Sequence, residues 1–330
     1  YRVQVEFPQQ PIPIDPYLLG LWLGDGSSYN LSITSMDSEI VDWLYSHAKH
    51  VGLTVTKVSN KEGNKSKNYN LVNRIGSPNP LKSKFINLNL MFKSHYSKFD
   101  EQNDGRGKHI PESYKCNSRE TRLLLLAGLI DTDGNYAKDK CYYEITQKNK
   151  KLADDIAFVV RTLGFGCGFS EKIIDGCTYF RITICGDIEQ IPVKVDRKKA
   201  RKRKQKKDPL RFGVRLKSIG EGEYFGFEID GNRRFLLGDC TVTHNTIIAA
   251  AIIKAAAVPT LFLVHRTHLL HQTAEKFIEA MPEIEPHLGI IGDGSKDFKP
   301  ITLATVQTVA PMLKRYGKHL QQELAVFRMM

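Results

Sequence analysis

The sequence predicts an α+β chain in three parts: a two-copy unit of helices and sheets, a short β segment, and the opening of an α/β domain. Three observations predict it. An apolar helix ending in Asp-Gly occurs twice, short strands with glycine turns fill residues 210–245, and helices alternate with apolar strands from residue 246 onward. A length of 330 residues allows two or three domains, each with its own core.

The repeat defines the first part. "YLLGLWLGDGS" (17–27) matches "LLLLAGLIDTDGN" (123–135), and "SITSMDSEIVDWLYSHAKHVGL" (32–53) matches "EITQKNKKLADDIAFVVRTLGF" (144–165). Ile33 and Ile145 are 112 positions apart, as are Gly52 and Gly164, whereas Asp25 and Asp133 are 108 apart. A four-residue insertion in the second copy's first hairpin accounts for the difference, at a place where loops tolerate it. Each copy reads helix, Asp-Gly, strand, long helix, Gly, strand. The copies are expected at about 13–110 and 111–195 within one unit, 13–195.

Gly20 and Gly128 stand at equivalent places inside the two helices, where glycine costs about 1 kcal/mol relative to alanine. Their use is close approach: two helices crossing through these glycines bring Asp25 and Asp133 together. Each carboxylate then opposes its helix dipole, and the pair repel. A bound divalent cation relieves both costs. A single Asp-Gly helix end would be an ordinary turn; two in frame on a basic chain point to metal. Hard oxygen ligands favour Mg²⁺, and carboxylate-held metals suit phosphodiester hydrolysis.

Lys and Arg number 48 against 36 Asp and Glu, a formal charge of +12, which favours a polyanionic partner, nucleic acid first. The run "VDRKKARKRKQKKDP" (195–209) holds Arg197, Lys198, Lys199, Arg201, Lys202, Arg203 and Lys204. It is read both as a solvated linker (196–209) and as a contact to the DNA backbone. The six cysteines form no zinc-type spacing and read as reduced thiols, consistent with the cytoplasm of a bacterial or phage-infected cell. No stretch is apolar enough to span a membrane, Lys254 and Pro259 breaking the best one. The opening "YRVQVEFPQQPIPIDP" reads as a chain entered part-way through a longer protein.

"LLGLWLGDG" and "LLAGLIDTDG" resemble the signature helices of the two-repeat, intein-embedded LAGLIDADG homing endonucleases (the dodecapeptide, DOD type), over most of residues 11–205. That resemblance implies a pseudo-symmetric, monomeric endonuclease: paired helices carry two saddle-forming sheets, four-stranded in the family, that sit on double-stranded DNA. It makes Asp25 and Asp133 the metal-binding catalytic carboxylates, with Mg²⁺ as cofactor. Gln147 falls where some relatives place a polar residue near the metals, with Ser35 in the first copy. Family members also use basic residues to organise the attacking water, and the sequence assigns no particular lysine to that task.

At "FLLGDCTVTHNTIIAAAIIKAAA" (235–257) a strand-rich block meets an apolar helix with no linker between them. An asparagine side chain can cyclise onto its own carbonyl and break the chain, a histidine can protonate the departing amine, and a hydroxyl can already hold the upstream acyl chain. His244, Asn245 and Thr246 supply these groups in order. Their context, "YFGFEIDGNRRFLLGDCTVTHN", resembles the C-terminal splicing block of inteins, a Hint-type β segment at 210–245, although Arg233 stands where many inteins have histidine. Residues 1–12 resemble the tail of the N-terminal Hint half. The rest of that half is absent, so the chain as given is not expected to splice alone.

"TIIAAAIIKAAAVPTLFLVHRTHLLHQTAEKF" with "ITLATVQTV" resembles the start of the RecA-like domain of a superfamily-two DNA helicase, which makes 246–330 the downstream host segment. Thr246 would then end the helicase P-loop and bind the Mg²⁺ of ATP in the complete, spliced helicase only. A helicase with an accessory front is set aside, because Val-Thr-His-Asn rather than Gly-Lys precedes Thr246. A DNA-binding insert without cleavage is the alternative, with the intein-less helicase gene as the DNA partner in either case.

Overall fold

The computed structural model describes residues 1–58, 66–74, 77–91, 107–202, 208–211, 213, 234–243 and 245–312. They are a mixed α+β chain in two compact units, one holding 1–212 with 238–241, the other 213–237 with 242–330.

The first unit begins with α1 (Pro16–Asp25), a helix buried along nearly its whole length. The Asp15 carboxylate accepts from the Leu18 N–H at 3.0 Å, and Pro16 fixes the first turn. There follow β1 (Ser32–Ser35), α2 (Ser38–His50), β2 (Thr54–Val58), β3 (Lys67–Val72) and α3 (Pro80–Asn87). After a short α4 (Glu112–Lys115) comes α5 (Arg119–Asp133), started by Ser118, then β4 (Gly134–Ala137), β5 (Tyr142–Gln147), α6 (Lys150–Thr162), β6 (Gly166–Ile174) and β7 (Cys177–Cys185).

The two sheets differ. Among the described residues the first has three antiparallel strands in the order β1-β3-β2, and the second four, β4-β5-β7-β6. The four-stranded expectation therefore holds for the second copy alone. In the first copy the strand equivalent to β4 shrinks to one bridge, Gly26 with Ile33, where the second copy pairs Gly134 with Ile145 at the start of a full ladder. Gly52 and Gly164 both take positive φ (72° and 83°) and close their long helices: Leu53 and Phe165 donate back to the carbonyls of Ala48 and Val160.

The helices α1 and α5 lie against each other at the centre of this unit's core. A Cβ on Gly20 would stand 2.2 Å from the Leu125 carbonyl oxygen, and one on Gly128 2.3 Å from that of Tyr17. Backbone meets backbone here, which only glycine allows. Gly26 and Gly134 have ordinary negative φ (−83° and −81°), so left-handed geometry is not why glycine ends these helices. The chain folds back so tightly that a Cβ would strike Trp22 or Ile130 of the last turn.

The basic segment is not a free linker at its start. Residues Asp196–Lys198 form a 3₁₀ turn, and the Lys198 carbonyl accepts from the Tyr143 hydroxyl at 2.7 Å. Arg203 and Lys204 lie outside the described residues. At the amino end the Arg2 guanidinium binds the Asp239 carboxylate at 2.9 Å, and the Val3 N–H donates to Cys240.

In the second unit β8 (Phe235–Leu236) pairs with β9 (Val242–Thr243). Then follow α7 (Asn245–Ala256), β10 (Thr260–Val264), α8 (Thr267–Ala280), β11 (Leu288–Gly292), β12 (Ser295–Lys296) and β13 (Ile301–Thr305). The sheet order is β10-β13-β11-β12, with the first three strands parallel. Helix α8 buries Leu270, Ala274 and Phe277 in this unit's core. Among the described residues no helix is long and apolar enough to cross a membrane.

Gly128→Ala is expected to destabilise the first unit by about 1–3 kcal/mol, the usual cost of overpacking. Alanine's better helix propensity, about 1 kcal/mol, offsets part of that cost. A denaturant melt of the two proteins measures it, and an unchanged midpoint would show that the helices separate freely.

Candidate functional site

The contact between α1 and α5 continues to their carboxyl ends. A Cβ on Gly24 would lie 2.0 Å from the Thr132 hydroxyl and 3.3 Å from the Asp133 carboxyl carbon. Asp25 and Asp133, each the last residue of its helix, therefore belong to one cluster, and each feels the other side of it. Burial first, and then the Asp133 charge, push the Asp25 carboxyl above its ordinary range. Asp133 is raised by burial, with Gln147, Lys108 and Lys198 pulling the other way. Asp25 stays open to solvent at the rim, which screens its part of the effect; Asp133 is half-buried.

Gln147 comes from the end of β5, and its Nε2 donates to Asp133 Oδ2 at 2.5 Å. Ser35 takes the equivalent place in β1, is buried, and spends its hydroxyl accepting the Asp37 N–H at 3.2 Å. The two carboxylates thus have different neighbours.

Two lysines complete the cluster: Lys108, to which the sequence assigns no role, and Lys198, which the sequence reads only as part of the basic run. Lys108 Nζ donates to the Gly24 carbonyl at 2.5 Å and lies 5.6 Å from the Trp22 ring centre. Lys198, 4% exposed, donates to the carbonyls of Ile130, Asp131 and Thr132 at 2.9, 2.8 and 2.9 Å. All three of its protons find acceptors, at the place where a helix leaves its carbonyls unpaired. Burial lowers both ammonium groups; Asp133 and Asp25 oppose this at Lys108, and Asp131, Asp37 and Asp25 do so at Lys198.

Two expectations change as a result. Lys198 is not a phosphate contact on the protein surface: it is buried, and all its donors are engaged within the protein. Likewise the helix-dipole cost, assigned above to a metal ion, is met by two lysine ammonium groups on the terminal carbonyls. Cation-held helix ends could not be read from a charge run whose members usually face water. Arg197 is bound through two nitrogens to Asp37, at 3.0 and 2.7 Å, while Lys199 pairs with Asp196 at 2.6 Å. Arg201 and Lys202 are exposed.

Both aspartates stay raised with the lysines in place, so the cluster still carries an electrostatic cost that added positive charge would relieve. The donors are carboxylate and amide oxygens, suited to a hard cation. Among the described residues no group of three or more His, Cys, Asp or Glu could hold a metal, so two carboxylates supply only part of a coordination shell. Water and substrate oxygens would have to supply the rest.

At the other candidate centre, Asn245 and Thr246 begin α7, and nothing of their side chains is described; His244 lies outside the described residues. Arg233 does too.

Residues 120–190 match the family model of a LAGLIDADG-like domain, and residues 216–327 that of the "Type III restriction enzyme, res subunit". The second match starts inside the 210–245 segment. Among curated proteins, the "Homothallic switching endonuclease" of Saccharomyces cerevisiae is 27% identical over 247 residues, which is 68% of this chain and 42% of that protein. The "Replicative DNA helicase DnaB" of Mycobacterium intracellulare is 24% identical over 265 residues, 77% of this chain and 39% of that protein. The chain thus spans about two fifths of the length of these relatives. Among solved structures, mesophilic variants of the homing endonuclease I-DmoI give a TM-score of 0.36 at 16% identity, covering 52% of this chain and 87% of theirs. I-DmoI in complex with DNA and Mn gives 0.33 at 16%, covering 52% and 88%.

Because folding raises the Asp25 pKa above its unfolded value, its contribution to stability is fully present below pH 3.8 and is lost as pH rises through the folded value. Asp25→Asn is therefore expected to raise the melting temperature at neutral pH, by a few degrees at most given the screening. The gain should shrink toward pH 4. Melting curves across pH 4–8 test this, and a gain that grows on acidification would contradict it.

Proposed function

We propose that residues 13–195 are a divalent-metal-dependent DNA endonuclease of the LAGLIDADG homing type, pseudo-symmetric and monomeric, with Asp25 and Asp133 as its catalytic carboxylates. The observation that carries this reading is the single cluster formed where two glycine-packed helices end. It draws one carboxylate from each copy and adds two lysines and a glutamine. The LAGLIDADG-like match over 120–190 supports it, as does the basic charge of the chain.

Asp25 and Asp133 would hold the cation, Mg²⁺ being favoured by their oxygen donors, and it would supply Lewis-acid activation of water and of the scissile phosphate. The chain's own groups do the rest. Gln147 fixes the Asp133 carboxylate by donating to one of its oxygens. Lys108 and Lys198, pinned to helix carbonyls, hold positive charge beside both carboxylates without having to reorganise when a phosphate arrives. Lys108, with one donor given to the Gly24 carbonyl, would orient the attacking water, while Lys198, with all three donors spent on helix carbonyls, would act through its charge alone. The sheets after each helix would form the DNA-facing saddle, with Arg201, Lys202, Arg203 and Lys204 tracking the backbone nearby.

The same reading places the endonuclease in an intein of a cytoplasmic ATP-dependent helicase, between residues 1–12 and the Hint-type segment 210–245. His244 would protonate the leaving amine, Asn245 would cyclise, and Thr246 would carry the acyl chain and later serve the host's P-loop with ATP and Mg²⁺. Support for the host comes from the parallel β10-β13-β11 sheet and the 216–327 match.

The test is cleavage, by the full chain with Mg²⁺, of a plasmid carrying an uninterrupted helicase P-loop sequence. Linear product is expected, reduced on the order of 100-fold or more in Asp25→Asn and in Asp133→Asn. Tight binding with no cut at any Mg²⁺ or Mn²⁺ concentration would leave a DNA-binding insert instead.

A further inference from the structure

Asp131, the first carboxylate of "LIDTDG", has no part in the cluster's open side. It is 1% exposed, and its oxygens are taken by the protein. Oδ2 accepts from the Tyr17 hydroxyl at 2.7 Å and from the Lys194 N–H at 2.8 Å, and Oδ1 from the Val195 N–H at 3.1 Å. The fold does not demand a carboxylate at this point of the helix pair: the matching position in α1 is Leu23, buried and apolar.

What Asp131 holds is a strap of chain, residues 194–198. Three residues beyond Val195 the strap delivers Lys198 to the end of α5, where one of the carbonyls that receives it belongs to Asp131 itself. The strap is tied again where the Asp196 N–H donates to Glu39 at 3.0 Å, and the Lys194 ammonium lies 5.0 Å from the Tyr17 ring centre. Lys108 is held in another way, by the Gly24 carbonyl and the Trp22 ring.

We propose that Asp131 is a positioning residue: it clamps the 194–198 strap so that the Lys198 ammonium stands at the end of α5 within the carboxylate cluster. It acts on cleavage through Lys198 and not through contact with DNA. This rests on the endonuclease reading for its effect on cleavage, and on the structure alone for the placement of Lys198. A buried carboxylate with two backbone donors and one hydroxyl donor is a rigid clamp; an amide in its place accepts through one oxygen and offers donors where donors already point.

Two measurements test it on the full chain. The first is single-turnover cleavage of an end-labelled duplex, each strand followed separately, by the wild type, Asp131→Asn, Lys198→Met and the double variant, all checked as folded by melting. Asp131→Asn is expected to slow cutting roughly 10- to 100-fold, the scale on which outer partners govern a working group, with half-saturation by DNA unchanged. It should show the same strand preference as Lys198→Met, and the double variant should be no slower than Lys198→Met alone. Additive losses, or a loss confined to DNA affinity, would overturn the proposal.

The second is acetylation by acetic anhydride, read by mass spectrometry at Lys198 against exposed Lys199. Lys198 should be protected in the wild type and labelled at least about tenfold faster in Asp131→Asn, because the clamp no longer holds it against the helix carbonyls. Should Asp131→Asn fail to fold, Tyr17→Phe takes its place, with raised Lys198 labelling as the expected result and wild-type protection as the overturning one. A wild-type chain that never cuts but shows this labelling pattern would remove the nuclease reading and keep the clamp. Unchanged protection in the folded variant would remove the clamp whatever the chain cuts.

Discussion

Backbone contact between α1 and α5 is the constraint on which the first unit depends. Gly20 and Gly128 let two helices touch where any side chain would hold them apart by the width of a methyl group or more. The approach carries on to Gly24, which rests on Thr132 and Asp133, so that two helix ends from different copies become one place. With wider spacing, the same residues would make two separate Asp-Gly turns of no chemical consequence.

Closeness has an electrostatic cost. Two helix carboxyl termini, each with partial negative charge and an aspartate, converge in a partly buried setting. The chain answers with cations drawn from distant segments: Lys108 precedes the second copy, and Lys198 follows it. Neither is a free surface charge. Each is fixed by carbonyls at a helix end, so one set of hydrogen bonds both caps the helices and brings positive charge to the cluster. The aspartates stay raised even so, chiefly by their burial, so the lysines offset only part of the cost.

The two copies have diverged where the cluster is concerned. Gln147 stands where the first copy has Ser35, Asp131 stands where it has Leu23, and the ladder begun at Gly134 is a lone bridge at Gly26. Their long helices and closing glycines match closely, because those features serve packing, which both copies need alike. The differences gather around the carboxylates, so the cluster is fed unequally from its two sides. The second unit has its own core and its own parallel sheet, as its alternation of helix and apolar strand requires.

What the sequence determined by itself was local or periodic. The repeat, the helix ends at Asp25 and Asp133, the closing Gly52 and Gly164, and the α/β alternation after residue 246 all follow from spacing, small residues and turn chemistry within a few positions. Gly20 and Gly128 were legible because glycine inside a helix needs a reason. Lys108 and Lys198 were not: their partners lie 84 and 66 or more positions away, and lysines in a basic stretch ordinarily face water. Asp131 was hidden for the same reason, its role being fixed by a strap some 63 residues downstream. The sequence decided which groups end each helix, while tertiary packing alone decided which distant charges those ends must accommodate, because a buried charge is set by its neighbours in space and not by its neighbours in the chain.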